Sequence, residues 1–422
     1  EEKNTDIIAQ LEQQKGELEA TLSKLNKPFA TEQKKSNATC IKLAQAIPSN
    51  TVLVDFSRIS QFNFKNKNND QTWLQDRYIA FIIHAGNGDK IDWIDIGSAN
   101  EIDNEISAFR KMLAGVNTDM TKDTINILKK LHTLIFQPLK SKIGRIKEIF
   151  ISPDGDLSLL PFEVLLNTDE KFLIEDYTFN YLSAGRDILG FGEFIEGNNK
   201  SLIIGNPDFN MDDEQKKPII EKLGLKTHNE KKIVKRSKDI QNSFSWQPLP
   251  GTQEEVQEIY NIIGKDNAEL FTGKKAMEEK LMYWGVPKVL HLATHGFFLE
   301  NQPIDFKNNT KINRGFSLDP ESNQLFSPSP VYVDTENPLL RSGIVLAGAN
   351  KFFKTDDNTI SDGIVTSEEI LGMNLRGTEM VVLSACDTGL GEVENGEGVF
   401  GLRRAFTQAG AKSLVMSMWK VP

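Results

Sequence analysis

The sequence predicts an α/β protein: two largely parallel β-sheets, each covered on both faces by helices, behind a helical N-terminal segment. Three observations carry this. Short apolar runs of strand length recur, among them TVLVDF at 51–56, SLIIGNPDF at 201–209 and EMVVLSA at 379–385. Longer amphipathic stretches lie between such runs, the alternation that builds βαβ units. The pattern falls into two series that meet near 195–205, and 422 residues exceeds the roughly 250–300 at which one core divides.

Each element has its own signal. Within residues 5–25, Ile8, Leu11, Leu18, Leu22 and Leu25 recur at helical spacing and make one apolar stripe suited to docking. Lys15 interrupts the stripe and Gly16 weakens the helix. Residues 26–47 are polar, with a second helix expected near Cys40. The runs 51–56, 77–83 and 91–96 read as strands of one sheet. Helices are expected over 101–113 and 124–139, the second with Ile127, Leu128, Leu131, Leu134 and Ile135 on one face. IKEIFISPDG at 146–155 is a strand entering a Pro-Asp-Gly turn, and TFNYLSA at 178–184 another strand.

The second series opens with the strand at 201–209. A helix over 249–263 buries Val256, Ile259, Tyr260 and Ile263, and its Thr252 and Glu255 have capping-box spacing. A strand at 268–271 and a helix at 274–284 follow. Strands are expected at 288–294, 343–348 and 379–385, then a helix over 398–410 and a last strand over 412–419. No short-period repeat runs through the chain.

Composition narrows the function. The chain is 39% hydrophobic and 26% charged, ordinary for a globular protein. A net charge of −10 argues against a general nucleic-acid or anionic-membrane binder, which needs clustered Lys and Arg. The Lys-rich stretch 211–240 also carries many acids and reads as a solvated insertion. Two distant cysteines, Cys40 and Cys386, exclude a disulfide framework and a Cys-rich zinc site. They fit a reducing, cytoplasmic setting. No apolar run approaches the ~18 residues of a membrane span, and no signal peptide is visible. The first residue is Glu, which fits a piece of a longer chain.

Chemistry in a parallel sheet gathers at the carboxyl ends of its strands. KVLHLATHGFF at 288–298 brings His295 and Gly296 past one such end, and EMVVLSACDTGLG at 379–391 brings Cys386 past another. If the two strands are neighbours, thiol and imidazole meet at one edge. A free thiol, with a pKa near ~8.5, is little ionised at neutral pH, so a nucleophilic cysteine needs such a partner. The imidazole would later protonate the leaving amine. Backbone N–H groups of Gly296 and Cys386 are the candidate oxyanion donors. The bland alternative stands beside this: a lone Cys after a strand is usually a small buried hydrophobe. His291 competes with His295, but within its strand it reads as packed or bonded to backbone. His84, His132 and Cys40 have no partner motif.

Several stretches carry a more specific signal. LPGTQEEV, VLHLATHGFF, LLRSGIVLAGAN, DGIVTSEEI, ISPDGDLSLLPFEVLL and VVLSACDTGLGEVENGEGVFGLRRAFTQAGAKSLVMSMWKVP together resemble the CHAT family. These are caspase-like cysteine peptidases related to separase, commonly found behind tetratricopeptide repeats. The likeness is spread from about 146 to 422 in the family's order, and weakens back to about 50. It implies that His295 and Cys386 are catalytic. It also implies a division: 1–47 as the helical end of a repeat region, 48–198 as an inactive caspase-like half, and 199–422 as the catalytic half. The inactive half has His84 and His132 but no cysteine. The family's domain normally runs further, so the catalytic half is expected to be C-terminally incomplete. The implied function is cleavage of specific protein substrates in bacterial defence or signalling, under a regulatory protein or effector acting through the repeats. A catalytically silent interaction module with the same fold is the rival.

Other signals are weaker. Gly396 to Gly401 matches G-x-G-x-x-G, but it does not follow a strand directly, so these glycines are expected to shape the loop behind Cys386. The run 358–369 cannot be a calcium loop, because Ile360 would fall at a ligand position. No His/Cys cluster supports zinc, and no cofactor is expected. Asp387, Glu392, Glu394 and Glu397 make the cysteine loop acidic. Read as a solvated loop they need no explanation. Read as a pocket, Asp387 and Glu397, with Asp362, would favour a basic side chain before the scissile bond. The polar stretch 299–341 is expected to border the substrate groove, and cleavage or reordering near 210–245 or 299–341 to regulate it.

Overall fold

The computed structural model describes residues 15, 18, 22, 33–63, 74–113, 121–192, 200–224, 240, 245–299, 317–318, 325–326, 337–351, 361–384 and 400–417. Before the first sheet, α1 (Cys40–Ala46) is capped by Thr39, whose side chain accepts from Lys42 N–H. Of the predicted N-terminal stripe, Leu18 and Leu22 are exposed in this chain, and Ile8, Leu11 and Leu25 lie outside the described residues.

The first sheet contains β1 (Thr51–Ile59), β2 (Arg77–His84), β3 (Asn87–Ser98), β4 (Glu148–Ser152) and β5 (Thr178–Tyr181), in the order β3-β2-β1-β4-β5. It is mixed, not largely parallel: β1, β2 and β3 pair antiparallel, while β4 and β5 join β1 in parallel. The cause is local. Only Ala85 and Gly86 separate β2 from β3, and so short a link can join only antiparallel strands. Alternation then sorts the side chains. Val52, Val54, Ile149 and Ile151 meet α2 (Ala99–Leu113) and α3 (Lys122–Leu131) through Ile102, Ile106, Leu128 and Leu131. Leu53 and Phe150 face the other way, onto Leu43 and Ala44 of α1. The helix expected over 124–139 is regular only to Leu131. It widens into a π turn at His132–Phe136 and tightens at Gln137–Leu139, where Pro138 offers no N–H.

The second series runs β6 (Ser201–Pro207), α4 (Asp213–Leu223), α5 (Gly251–Ile263), β7 (Ala268–Gly273), α6 (Glu278–Tyr283), β8 (Val289–Ala293) and β9 (Gly296–Phe298). Two-residue strands β10 (Ser317–Leu318) and β11 (Leu325–Phe326) pair with each other. Then come β12 (Ser342–Val345), β13 (Ile364–Thr366), α7 (Ser367–Leu371), β14 (Met380–Ser384), α8 (Phe400–Gln408) and β15 (Leu414–Met416). The main sheet is parallel throughout, in the order β15-β14-β8-β6-β7. From β6 the chain builds outward first to β7 and then, on the other side, to β8. That reversal opens a crevice at the carboxyl ends of β6 and β8. The strand expected at 343–348 is not part of this sheet. As β12 it forms a side sheet, β13-β12-β9, antiparallel throughout.

The faces of the second sheet are sealed by helices. Leu402, Ala405 and Phe406 of α8 are buried with Leu290, Leu292, Val381 and Leu383. Burying a Leu or Phe side chain of this kind contributes about 1.5–3 kcal/mol. Gly401 shows why α8 begins as it does: a Cβ there would come within 2.0 Å of Ser342 Oγ. On the other face Val256 of α5 packs on Ile203 and Ala293, in space left by Gly205, where a Cβ would lie 2.4 Å from Val256 Cγ1. The stretch 211–240 is not wholly solvated. Lys216 of α4 is buried, and its Nζ donates to Ser361 O at 2.8 Å. Arg403 of α8 reaches the first sheet, donating to Leu182 O at 2.9 Å with its guanidinium 5.9 Å from the centre of the Tyr181 ring.

Candidate active site

β8 and β14 are parallel neighbours, with Ala293 opposite Ser384. His295 lies two residues past the first of these and Cys386 two residues past the second. The strand ends leading to the predicted pair therefore lie side by side. Cys386, Asp387 and Glu397 themselves fall outside the described residues.

His295 is held from both ends. Its own carbonyl accepts from Val345 N–H at 2.9 Å, and the hydroxyl of the preceding Thr294, fully buried, donates to Val345 O. The half-buried ring sits between two aromatic rings, 5.2 Å from Phe209 and 5.4 Å from Trp246 between centroids. Its Nε2 lies 2.8 Å from Gln247 O. A carbonyl can only accept, so Nε2 carries the hydrogen, and Nδ1 of the neutral ring is the nitrogen left to accept a proton. Phe209 comes from just past β6, so the imidazole occupies the crevice between β6 and β8.

Asn350 fixes the segment that carries Gln247. Its side chain accepts from Trp246 N–H at 2.8 Å and donates to Trp246 O at 2.9 Å. Its own N–H donates to Phe209 O at 2.9 Å. One asparagine thus ties both aromatic neighbours of His295 to the turn after β12. Sequence reasoning missed Gln247 and Asn350. The first acts through its backbone, and the second is signalled only by its place in LAGAN.

Behind the edge lies a second cluster. His291 on β8 is buried, as the packed reading expects, and its Nε2 lies 3.0 Å from Glu255 Oε1, so its hydrogen-bond partner is a carboxylate. Glu255 also accepts a hydrogen bond from the Ser384 side chain. Burial works against the charged Glu255, but these two bonds and the charge of His291 outweigh it and hold the carboxyl below its usual range. The predicted capping box is therefore absent. Thr252 Oγ1 donates to Leu249 O and accepts from Asn206 N–H, and no side chain caps α5. A capping box forms instead at Thr366 and Glu369, at the start of α7.

A model of the CHAT domain family matches residues 126–422. The chain belongs to the CHAT domain family. This is a caspase-like cysteine peptidase family, and the α/β architecture with helix-flanked parallel strands agrees with it. Tetratricopeptide repeat protein 28 of Mus musculus is 20% identical over 313 residues, 70% of this chain and 11% of that protein. The Homo sapiens protein of that name is 21% identical over 311 residues, with the same 70% and 11% coverage, so this chain spans a small part of either relative's length.

In this CHAT domain Asp362 is buried, and its Oδ1 accepts from Ile364 N–H at 2.7 Å, shaping the turn into β13. The next N–H, of Gly363, donates to the buried Glu278 at 3.2 Å. Gly296 opens β9 opposite Ile344. Of the long stretch 299–341, Leu299 and Arg341 are described beside β9 and β12, where Leu299 N–H donates to Arg341 O at 2.7 Å. Among the described residues, no three His, Cys, Asp or Glu side chains group so as to hold a metal ion. Among them, too, no helix is long and apolar enough to cross a membrane.

Proposed function

We propose that this chain is a cysteine endopeptidase of the caspase-like CHAT type, with Cys386 as nucleophile and His295 as its proton-transfer partner. The observation that carries the reading is the register of β8 and β14, from whose facing ends His295 and Cys386 are each two residues away. Cys386 Sγ attacks the scissile carbonyl carbon while His295 Nδ1 takes the thiol proton. The oxyanion is met by the backbone N–H groups of Gly296 and Cys386. The C–N bond then breaks, the imidazolium returns its proton to the leaving amine, and a thioester remains. Water attacks the thioester with His295 again as base, the acid product departs, and the thiol is restored. The chemistry requires no metal or organic cofactor.

Residues 48–198 act in this reading as an inactive caspase-like half and 199–422 as the catalytic half. Asp387 and Glu397, with Asp362, favour a basic side chain before the scissile bond by charge complementarity. Substrates are one or a few specific proteins in a reducing cytoplasm. Control acts through a regulatory protein or effector on upstream repeats, in bacterial defence or signalling; relatives whose names carry tetratricopeptide repeats support the link to repeats. The second reading is a silent interaction module with the same fold, which relatives named for tetratricopeptide repeats also fit. A thiol-reactive peptide probe separates the two. Cys386 should be labelled, and His295→Ala should slow labelling sharply. Equal labelling of both proteins removes the peptidase reading.

A further inference from the structure

We propose that Glu255 is a positioning residue for the Cys386–His295 pair, clamping the ends of β14 and β8 in alignment from helix α5. The proposal rests on the peptidase reading of those two residues. Its basis is where the carboxylate's two partners lie. Ser384 is the last residue of β14, two before Cys386. His291 is on β8, four before His295, and stands opposite Val382 of β14. One carboxylate therefore grips the final stretch of both strands that lead into the site.

The same segment grips the site from above. Gln247, just before α5, gives its carbonyl to His295 Nε2 at 2.8 Å. Residues 247–255 thus touch the imidazole directly and the approach to the thiol through Ser384. α5 is itself fixed, because Val256, beside Glu255, is fully buried against Ile203 and Ala293. The clamp hangs from a rigid support.

Packing alone does not account for a carboxylate at this position. Its side chain is only 33% exposed, so its charge is partly desolvated, and an apolar residue would seal the face without that cost. Two hydrogen bonds to one ion are directional and resist sliding of one strand end against the other. Displacement of reacting groups by about 1 Å can cost about 10²-fold in rate, which is the scale such a clamp protects.

The test is the pH dependence of Cys386 alkylation by iodoacetamide, read by peptide mass spectrometry so that Cys40 is counted separately. Steady-state cleavage of a susceptible peptide and thermal melting accompany it. An aligned His295 is expected to lower the thiol inflection, and loosening the clamp should then raise it toward the ordinary value of about 8.5. Glu255→Ala and Ser384→Ala should both raise the inflection. Glu255→Ala should lower kcat about 10²-fold with KM nearly unchanged. Glu255→Gln, whose amide oxygen can still accept from Ser384, should recover much of the loss. The double variant with Ser384→Ala should be little worse than Glu255→Ala alone, since both remove one interaction.

If Glu255→Ala does not fold, Ser384→Ala and Glu255→Gln decide, because each is nearly isosteric. An unmoved inflection in a folded Ser384→Ala variant overturns the proposal. So does a fall in kcat that only tracks loss of folded protein. His295→Ala separates the two levels of inference. Should it leave the inflection unmoved, the dyad reading fails and the clamp, which rests on it, falls with it. A shift in His295→Ala with none in a folded Ser384→Ala variant overturns the clamp and keeps the dyad.

Discussion

The two sheets present the same kind of edge and fill it with different chemistry. In the first, β1 and β4 are parallel neighbours with Asp55 opposite Ser152, as β8 and β14 are in the second with Ala293 opposite Ser384. Past β4 the chain reads Pro153-Asp154-Gly155-Asp156. Asp154 accepts from Arg58 N–H at 2.7 Å, and the Arg58 guanidinium lies 3.1 Å from Asp76 and 3.2 Å from Asp103. Tyr78 donates to Asp103 and accepts from Asp156 N–H. Past β8, by contrast, stands an imidazole with a carbonyl on one nitrogen and aromatic rings beside it. Carboxylates locked to arginine hold a shape. An imidazole with one nitrogen open to a proton can carry out transfer. One parallel strand pair, set in two different sheets, therefore serves two ends, and the residues after the strands choose between them.

The largest effect should break the symmetry outright. His295→Ala is expected to lower kcat/KM by about 10²–10⁴-fold, the range for a lost general acid–base. Asp55→Asn, at the matching edge of the first sheet, should leave it within about twofold. Peptide cleavage measured on both variants checks this, and equal losses would erase the distinction between the edges. Arg58→Met comes next and acts on stability. It takes the arginine from Asp76 and Asp103, whose side chains are 28% and 16% exposed, and leaves them only the hydroxyls of Ser60 and Tyr78 among the described residues. Urea unfolding should show a loss of about 2–3 kcal/mol, with the alkylation profile of Cys386 unchanged.

A pH titration sharpens the comparison further. Burial, then the negative charge of Asp103, raise the Asp156 carboxyl to about 6 against the opposing pull of Arg58 and Arg110. A carboxyl raised in the folded state favours folding while protonated. That contribution is complete below the ordinary carboxyl range and is lost as pH rises toward 6 and through it. His132 works the other way. Burial, then the charge of Lys140, lower it to about 4, so its contribution is lost as pH falls toward that value. Comparing the wild type with Asp156→Asn isolates the first term. The variant should lose less stability between pH 4 and pH 6, as read by thermal melting.

Which parts of this were legible in the residues follows from what kind of contact made them. The strands of the second sheet read directly, because each is a short apolar run and β8 and β14 end in chemically distinctive segments. The mixed first sheet was written in HAGNGDK, a hairpin signal between two strand patterns that outweighs the general α/β alternation. Glu255 was legible as a capping residue because it stands three after Thr252. Asn206, distant in sequence, takes the Thr252 hydroxyl, and His291 and Ser384 take the carboxylate, so tertiary contacts override the local spacing. Gln247 left no trace, since every residue owns a carbonyl. Lys216 read as solvated because its segment is polar, yet its long stem carries the charge to a carbonyl 145 positions away.

The smallest expected effect tests whether burial, and not the mere presence of an Arg–Asp pair, gives the first edge its stability. Arg77 and Asp95 meet on β2 and β3 with good geometry, Nε lying 3.0 Å and 2.9 Å from the two carboxylate oxygens and Nη2 2.9 Å from one of them. The geometry equals or betters that of Arg58, but the side chains are 34% and 42% exposed. Water already solvates both charges, so the pair should contribute only about 0.5 kcal/mol, against about 2–3 for Arg58. Salt separates the two cases. Screening at about 1 M salt, where the Debye length is about 3 Å, should erase the Arg77→Ala effect in urea unfolding and leave most of the Arg58→Met effect. If both losses shrink alike, the first edge is held by surface electrostatics, and its contrast with the His295 edge is one of position alone.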